Sequence, residues 1–492
     1  MRQTRVESWL HQFEWLAGVA LLLATGTASA ERLHKYTVAI DPGLSTLSVR
    51  ACFDGAAPES LLAESLDATL ALLDLRVEGS RKPIQPSGSV SLKTLPENGC
   101  VVYRADVSRP IKQHDRTGGK IQHVGKDLLT SAGIWLWRPE TLAADEDIEI
   151  SFVLPEGMAV SAPWRPVARS DGSAAFRIGH SPYDWPASVA FGRFSERNLN
   201  VGGARLRLSV LDGTPAADVE QIQAWIEDSA RMVVQLFGRF PQSQAQILVV
   251  PGARGPEPTP WAYVIRGGAP AAHFFINQQR PIADFFEDWT AVHELSHLLL
   301  PFVNAEDVWL SEGLATYYQS VLRARDGRMK AAEAWRQLHA GFSRGRESAA
   351  GMTLAQATQS MYRFGTYMRV YWEGAAIMLM ADVRLRELTA GRQSLDTALA
   401  ALNECCNATD RAWSARELFT RLDELTGTGV FGEIHDQHVS SNSFPDLSRT
   451  YRALGLATGS DSIEFANRDD AKHLRETIME LRAPVAGGLP AN

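Results

Sequence analysis

The chain has 492 residues, 45% of them apolar and 22% charged, which is ordinary usage for a globular protein with a sizeable core. That length leaves room for two to four domains. The formal charge of −8 excludes the basic footprint that nucleic-acid binding needs, so no nucleic-acid partner is expected.

Residues 1–30 read as a signal peptide. Arg2 and Arg5 give a positive start, "WLAGVALLLA" is an apolar run, and Ala28 and Ala30 supply the small residues of a cleavage site before Glu31. The run is shorter than the roughly 20 residues of a membrane span. Export to a periplasmic or extracellular space follows, with no integral span after signal removal. Glu7 and Glu14 are unusual so near a signal sequence, which leaves an uncleaved amino-terminal anchor as the alternative.

Residues 31–205 alternate with period two. "KYTVAIDP", "LSVRACF", "DIEISFVL" and "AAFRIG" are separated by Gly, Pro, Asn and Asp, which predicts a β-rich domain of sandwich type. The polar stretch at 109–127 reads as a loop. Cys52 and Cys100 both fall in this part. In an oxidising compartment a bridge is favoured slightly over two buried thiols. Cys405 and Cys406 are adjacent and are not expected to pair, and nothing supports a cysteine zinc site.

Residues 206–400 change pattern and read as a catalytic domain. "ARLRLSVL" and "AQILVVPG" are strands, with a helix between them whose Val219, Ile222, Trp225, Ile226 and Met232 share one face. "WAYVIRGG" and "AAHFFIN" are two further strands, joined by Gly267, Gly268 and Pro270. The chain is then helical, with a carboxy-terminal segment at 401–470 and a frayed tail at 471–492. Strands followed by helices predict an α+β fold.

The chemistry concentrates in "HELSH", His293 to His297. On a helix, positions i and i+4 share a face, so two imidazoles can hold one metal ion. Glu294 beside them could take a proton from a water on that metal. The pattern alone is weak in a chain with 12 histidines. Three features strengthen it. Glu312 lies early in a second amphipathic helix, "DVWLSEGLATYYQSVL", before Gly313, a small residue that permits close helix approach. The connection "PFVNAED" can turn the chain back. Tyr371 starts a later helix, where a phenol could donate to an oxyanion.

In that order, "HELSH", "WLSEGLATYY" and "YWEGAA" resemble the gluzincin zinc metallopeptidases, closest to the glycyl aminopeptidase family and more distantly to the aminopeptidase-N family. The weaker "PYDWPASVAFGRF" and "LFTRLDELTGTGVFGEIHDQHV" extend the likeness over most of the mature chain. The resemblance implies a thermolysin-like catalytic domain and one zinc ion held by His293, His297 and Glu312. It implies Glu294 as general base and Tyr371 as oxyanion donor, acting on a peptide or protein substrate. Three departures stand out. Fourteen residues separate His297 from Glu312, fewer than is usual in the aminopeptidase-N family. Glu373 stands where a Lys is common. "RGGAPAAHFF" carries no acid where those aminopeptidases hold the substrate's free amine, so aminopeptidase specificity is open.

Gly267 and Gly268 are candidate substrate-binding positions, because glycine allows close backbone approach; a plain hairpin turn is an equal reading. The strand near His273 to Asn277 is a candidate edge for adding an extended peptide. Asp288, Asp307 and Thr316 are candidate partners of the metal ligands. Arg363 and Arg369 could hold a substrate carboxylate. His435 and His438 lack a third ligand. The alternative to a peptidase is a zinc-retaining, non-catalytic binding or scaffold protein. The sequence leaves the oligomeric state unspecified.

Overall fold

The computed structural model describes residues 32–480, except 87, 110, 113–118, 182–184, 195, 214–215, 408–410 and 459–461. The expected signal peptide, the Pro182–Asp184 part of the weaker resemblance and residues 481–492 lie outside these. Among the described residues no helix is long and apolar enough to cross a membrane.

The amino-terminal part is two sheets around one core. Arg32–Ile40 pairs antiparallel with Thr46–Cys52 and parallel with Glu146–Val153, at the centre of a seven-stranded sheet. Asp127–Ser131 and Ser188–Gly192 lie in a five-stranded sheet. The alternating inward residues of both, including Tyr36, Val49, Phe152, Leu128 and Phe191, fill one apolar cluster. Cys52 and Cys100 face each other across paired strands and are bridged. Part of the expected loop is instead sheet. Gly119–Val124 pairs with Asp127–Ser131, its polar residues alternating with buried Ile121.

A third sheet carries the site. Its five strands run in the order Glu196–Val201, Ala204–Val210, Gln244–Pro251, Ala271–Ile276, Trp261–Ile265. The middle three are parallel and each outer strand is antiparallel to its neighbour. The crossover helix Ala216–Val234 buries Ile222, Trp225, Ile226 and Met232 against this sheet, while Val219 is partly buried. The hairpin at 196–210 belongs to this sheet, so the change of sheet falls near residue 195 rather than 205.

The helices beyond residue 281 share one apolar cluster with the third sheet. That cluster runs through residue 400 without a break, because Leu395–Cys406 packs Leu399 and Leu402 beside Phe419 and Phe431 of later helices. Two expectations fail here. The tail begins later than 471, since Asp469–Met479 is a helix that buries Ala471, Ile478 and Met479. Cys405 and Cys406 are bridged to each other, at the end of their helix. A small hairpin, Leu456–Thr458 with Ile463–Phe465, interrupts the helical end.

Candidate metal centre

His293 sits on a short helix, Thr290–Ser296, that tightens into a 3₁₀ turn at His297–Leu299 before Pro301 ends it. Ala291, Val292, Leu295 and Leu298 fix the helix in the core. That leaves His293, Glu294 and His297 on the opposite side, with the imidazole centroids 4.9 Å apart. Asn304 caps the next 3₁₀ turn through Asp307 N, and the helix Val308–Arg325 follows. It brings Glu312 Oε2 to 3.2 Å from His293 Nε2 and 3.7 Å from His297 Nε2.

Gly313 makes the close approach expected of it, but toward a different helix. A Cβ there would lie 2.4 Å from the Gly374 backbone, and one on Gly374 would lie 2.5 Å from Trp309 O. The two glycines therefore press Val308–Arg325 against Tyr367–Leu388, the helix of Tyr371. The Tyr371 ring stacks 5.9 Å from that of His293, and its side chain hydrogen-bonds to Glu312.

The three donors suit a small divalent cation. Their ligand atoms all lie within 4.8 Å of one another. Zinc bonds of about 2.0–2.1 Å in a tetrahedron place neighbouring ligand atoms about 3.3 Å apart. A side-chain amide oxygen sets the tautomer of the first imidazole. His293 Nδ1 donates to Gln319 Oε1 at 2.7 Å, which turns Nε2 toward Glu312, the face a cation would take when the ring is neutral. His297 Nδ1 lies 2.8 Å from Ser311 Oγ. Two histidines and one carboxylate, completed by a water, is an established donor set for hydrolytic zinc.

Burial governs the charges. Desolvation pushes the Glu294 carboxyl up to about 8, and Glu294 Oε2 lies 3.9 Å from His297 Nε2. Burial also lowers His297 to about 4. Burial would lower His293 too, but the hydrogen bond and charge of Glu312 and the charge of Glu294 outweigh it and raise the group. Burial alone would raise Glu312, yet the facing histidines hold it below its usual value. Four titratable groups crowded in one buried cluster are relieved by a cation among them.

The remaining expected positions divide. Gly267 takes φ +83° against Phe302, and a Cβ on Gly268 would lie 2.9 Å from Trp185. Both glycines are tightly packed at a turn. The edge of the sheet is Trp261–Ile265, not the strand containing His273, which is paired on both sides. His273 is buried between Tyr263 and Gln246. The true edge strand also carries no acid. Asp288 accepts from Trp289 N and Asp307 from Ala415 N, and Thr316 Oγ1 is buried, so none of them meets the histidines. Arg369 is buried in an ion pair with Glu373, whose carboxyl burial pushes up to about 7. That pairing removes Arg369 as a carboxylate anchor. Arg363 is exposed over the Phe364 ring. His435 pairs with Asp436, and no three-ligand group forms there among the described residues.

Sequence reasoning missed Gln319, Ser311, Arg266 and Asn407. Gln319 is seven residues after Glu312, two turns along the same helix face, and that periodicity was a usable signal. Ser311 adjoins the ligand. Arg266 and Asn407 give no local signal. Arg266 donates to His297 O at 2.9 Å and to Asn407 Oδ1 at 3.1 Å, and Asn407 Nδ2 donates to Leu298 O at 3.1 Å. Together they tie down the carboxyl end of the His293–His297 turn.

No protein-family model and no curated protein matches the chain. Solved structures do. An aminopeptidase N family protein from Idiomarina loihiensis aligns over 86% of this chain and 78% of its own, with 14% identity and a TM-score of 0.66. An M1 zinc metallopeptidase from Deinococcus radiodurans aligns over 85% and 95%, with 15% identity and a TM-score of 0.55. Native yeast LTA4 hydrolase aligns over 86% and 70%, with 13% identity and a TM-score of 0.52. Identities this low speak to fold alone: the chain has the mixed fold of the M1 zinc metallopeptidases, with an amino-terminal sheet domain and a helical carboxy-terminal part.

Proposed function

We propose that the protein is a zinc-dependent peptidase of the gluzincin kind, with His293, His297 and Glu312 holding one zinc ion. The observation that carries this reading is the convergence of three ligand atoms within 4.8 Å, on a fold shared with zinc metallopeptidases. A Glu-to-Ala variant of the Deinococcus protein is described as bound to a Tyr-Ser-Ala substrate. That supports a peptide as the substrate class here. The thermolysin-like reading of the catalytic part and the closer kinship with glycyl aminopeptidases rest on the motifs. Export rests on the first 30 residues.

A bound zinc ion would supply Lewis acidity, lowering the pKa of a water toward about 7 and polarising a carbonyl. The chain's own groups do the rest. Glu294 is buried and lies beside the ligands, so its carboxylate receives a proton and returns it to the leaving amine. Tyr371, fixed by its stacking on His293, offers an O–H to developing negative charge. Gln319 and Ser311 keep both rings in one orientation. Gly267 and Gly268 shape the turn after the edge strand Trp261–Ile265, against which an extended substrate can lie.

Terminal specificity is less supported than hydrolysis. An aminopeptidase needs a negative group for the substrate's ammonium. The edge strand has none and is followed by the cation Arg266. The test is digestion of a mixed peptide set by the zinc-loaded protein, with product mapping, beside Glu294→Gln. Cleavage by the wild type and a loss of at least about 10²-fold in the variant support the enzyme. Equal inertness of both proteins, with zinc retained, supports the non-catalytic binding module.

A further inference from the structure

Cys405 and Cys406 end the helix Leu395–Cys406, are bridged to each other, and are followed at once by Asn407, the helix cap. A bridge between neighbours closes almost no chain. It therefore restricts the unfolded protein far less than Cys52–Cys100, whose partners are 48 residues apart. Its effect is local instead: it ties two consecutive residues into one small ring and fixes the backbone that leads into Asn407. Cys405 is exposed while Cys406 is buried, so a reagent in solution meets Cys405 first.

Asn407 is where this ring meets the metal centre. It is buried, and both ends of its side-chain amide are in use. Its Oδ1 accepts from Arg266 at 3.1 Å, and its Nδ2 donates to Leu298 O at 3.1 Å and to Pro241 O at 3.4 Å. The other arm of the Arg266 guanidinium donates to His297 O at 2.9 Å. Two hydrogen-bonded routes thus run from the residue after the bridge to the metal-binding turn. One ends on the carbonyl of the ligand His297, and the other on the carbonyl of Leu298 beside it. Both routes pass through Asn407, so a shift of that one residue releases both.

We propose that the Cys405–Cys406 bridge is a thiol–disulfide exchange site for a dithiol reductant, and that opening it loosens the metal centre through Asn407 and Arg266. The inference rests on the three-ligand centre of the peptidase reading. A thiolate of the reductant attacks Cys405 Sγ, the bond between the two Sγ atoms breaks, and Cys406 leaves as a thiolate that takes up a proton. The reductant's second thiol loses its proton and attacks its own sulfur in the mixed disulfide. Cys405 then leaves as a thiolate and is protonated, and the reductant ends as a disulfide, having given two electrons to the bridge. With the ring open, the backbone before Asn407 regains rotational freedom, and the amide can leave its partners. Asn407 and Arg266 are positioning residues here, since they act on the metal only through the turn that carries His297.

The experiment has two arms. In the first, the full chain is treated with dithiothreitol, alkylated and mapped by mass spectrometry; both Cys405 and Cys406 should carry the label, and a bridge that stays closed overturns the exchange site. In the second, zinc affinity is measured by chelator competition before and after reduction with a phosphine, which opens disulfides without adding a thiol that competes for zinc. The wild type should lose roughly 10-fold in affinity on reduction, the lower end of what losing an outer partner of a metal ligand costs. Hydrogen exchange at the amides of residues 293–300 should speed up with it. Cys405→Ser/Cys406→Ser keeps the other bridge, so it should bind zinc as weakly as the reduced wild type and ignore the phosphine. Asn407→Ala should weaken zinc binding in the oxidised chain and shrink the further loss on reduction, because the two changes act along one path. A wild-type affinity that stays within about twofold once the bridge is open overturns the coupling and leaves the peptidase intact. A full response in the Cys405→Ser/Cys406→Ser variant assigns the effect to Cys52–Cys100 and also overturns it. No zinc in either redox state removes the metal centre itself, and with it both this inference and the peptidase reading.

Discussion

Gln319 offers a sharp test of how the metal ligands are held. Its Oε1 accepts from His293 Nδ1 at 2.7 Å, and no sequence motif pointed to it. Gln319→Leu keeps most of the volume and removes the acceptor. His293 is 2% exposed, so its Nδ1–H would then lack a partner, at a cost of about 1–3 kcal/mol. The ring would also be free to turn or to move its proton to Nε2, which competes with the metal. Losing such a partner typically weakens metal binding by about 10–100-fold, or about 1.4–2.7 kcal/mol, the same range. Zinc affinity by chelator competition reads this directly. Thr316→Val, on the same helix, is the control, because Thr316 Oγ1 is buried without a hydrogen-bond partner among the described residues. A zinc affinity for Gln319→Leu within twofold of the wild type would show that the contact does not orient the ligand.

Three further outcomes follow from the packing and the charges. Gly313→Ala puts a methyl 2.4 Å from the Gly374 backbone, so the two helices must part; a loss of about 1–3 kcal/mol in thermal melting and a clear fall in zinc affinity are expected. The Cys52–Cys100 bridge closes a separation of 48 residues, so its reduction or double replacement by Ala should lower stability by about 2–4 kcal/mol in denaturant unfolding. Asp396 is buried, which opposes its charge, but Arg325 at 2.8 Å and Arg386 outweigh burial and hold its carboxyl below the usual range. Its folded pKa is thus below its unfolded one. The stability it contributes is full above about pH 4 and is lost as pH falls through the folded value. Asp396→Asn should flatten that acid limb in melts between pH 3 and 7.

The site was legible to the extent that it is local. His293, Glu294 and His297 lie within two turns of one helix, and helical geometry alone puts both rings on one side. Glu312 and Tyr371 were found through sequence motifs, which stand in for contacts between helices. The partners of the ligands were legible only in part. Gln319 follows from helical spacing, whereas Arg266 and Asn407 are 141 residues apart and meet only in the fold. The edge strand was misplaced for a similar reason. Trp261–Ile265 and Ala271–Ile276 form a hairpin, and hairpin pairing does not say which strand the parallel Gln244–Pro251 joins. Period-two alternation revealed the two-sheet domain, but the switch between sheets near residue 195 leaves no mark in composition. The helix Asp469–Met479 was hidden by its polar surface, although Ala471, Leu474 and Ile478 repeat at helical spacing. The bridge between adjacent Cys405 and Cys406 contradicts a general geometric preference, and nothing in the surrounding structure explains it.

Zinc stoichiometry in the purified protein and its point variants bears most directly on the metal centre. The wild type and Glu294→Gln should each hold one zinc ion per chain, while His293→Ala and Glu312→Ala should lose it with their fold intact. A wild type that binds no zinc, or a Glu312→Ala variant that binds it as tightly as the wild type, would contradict the three-ligand centre and the hydrolytic reading built on it.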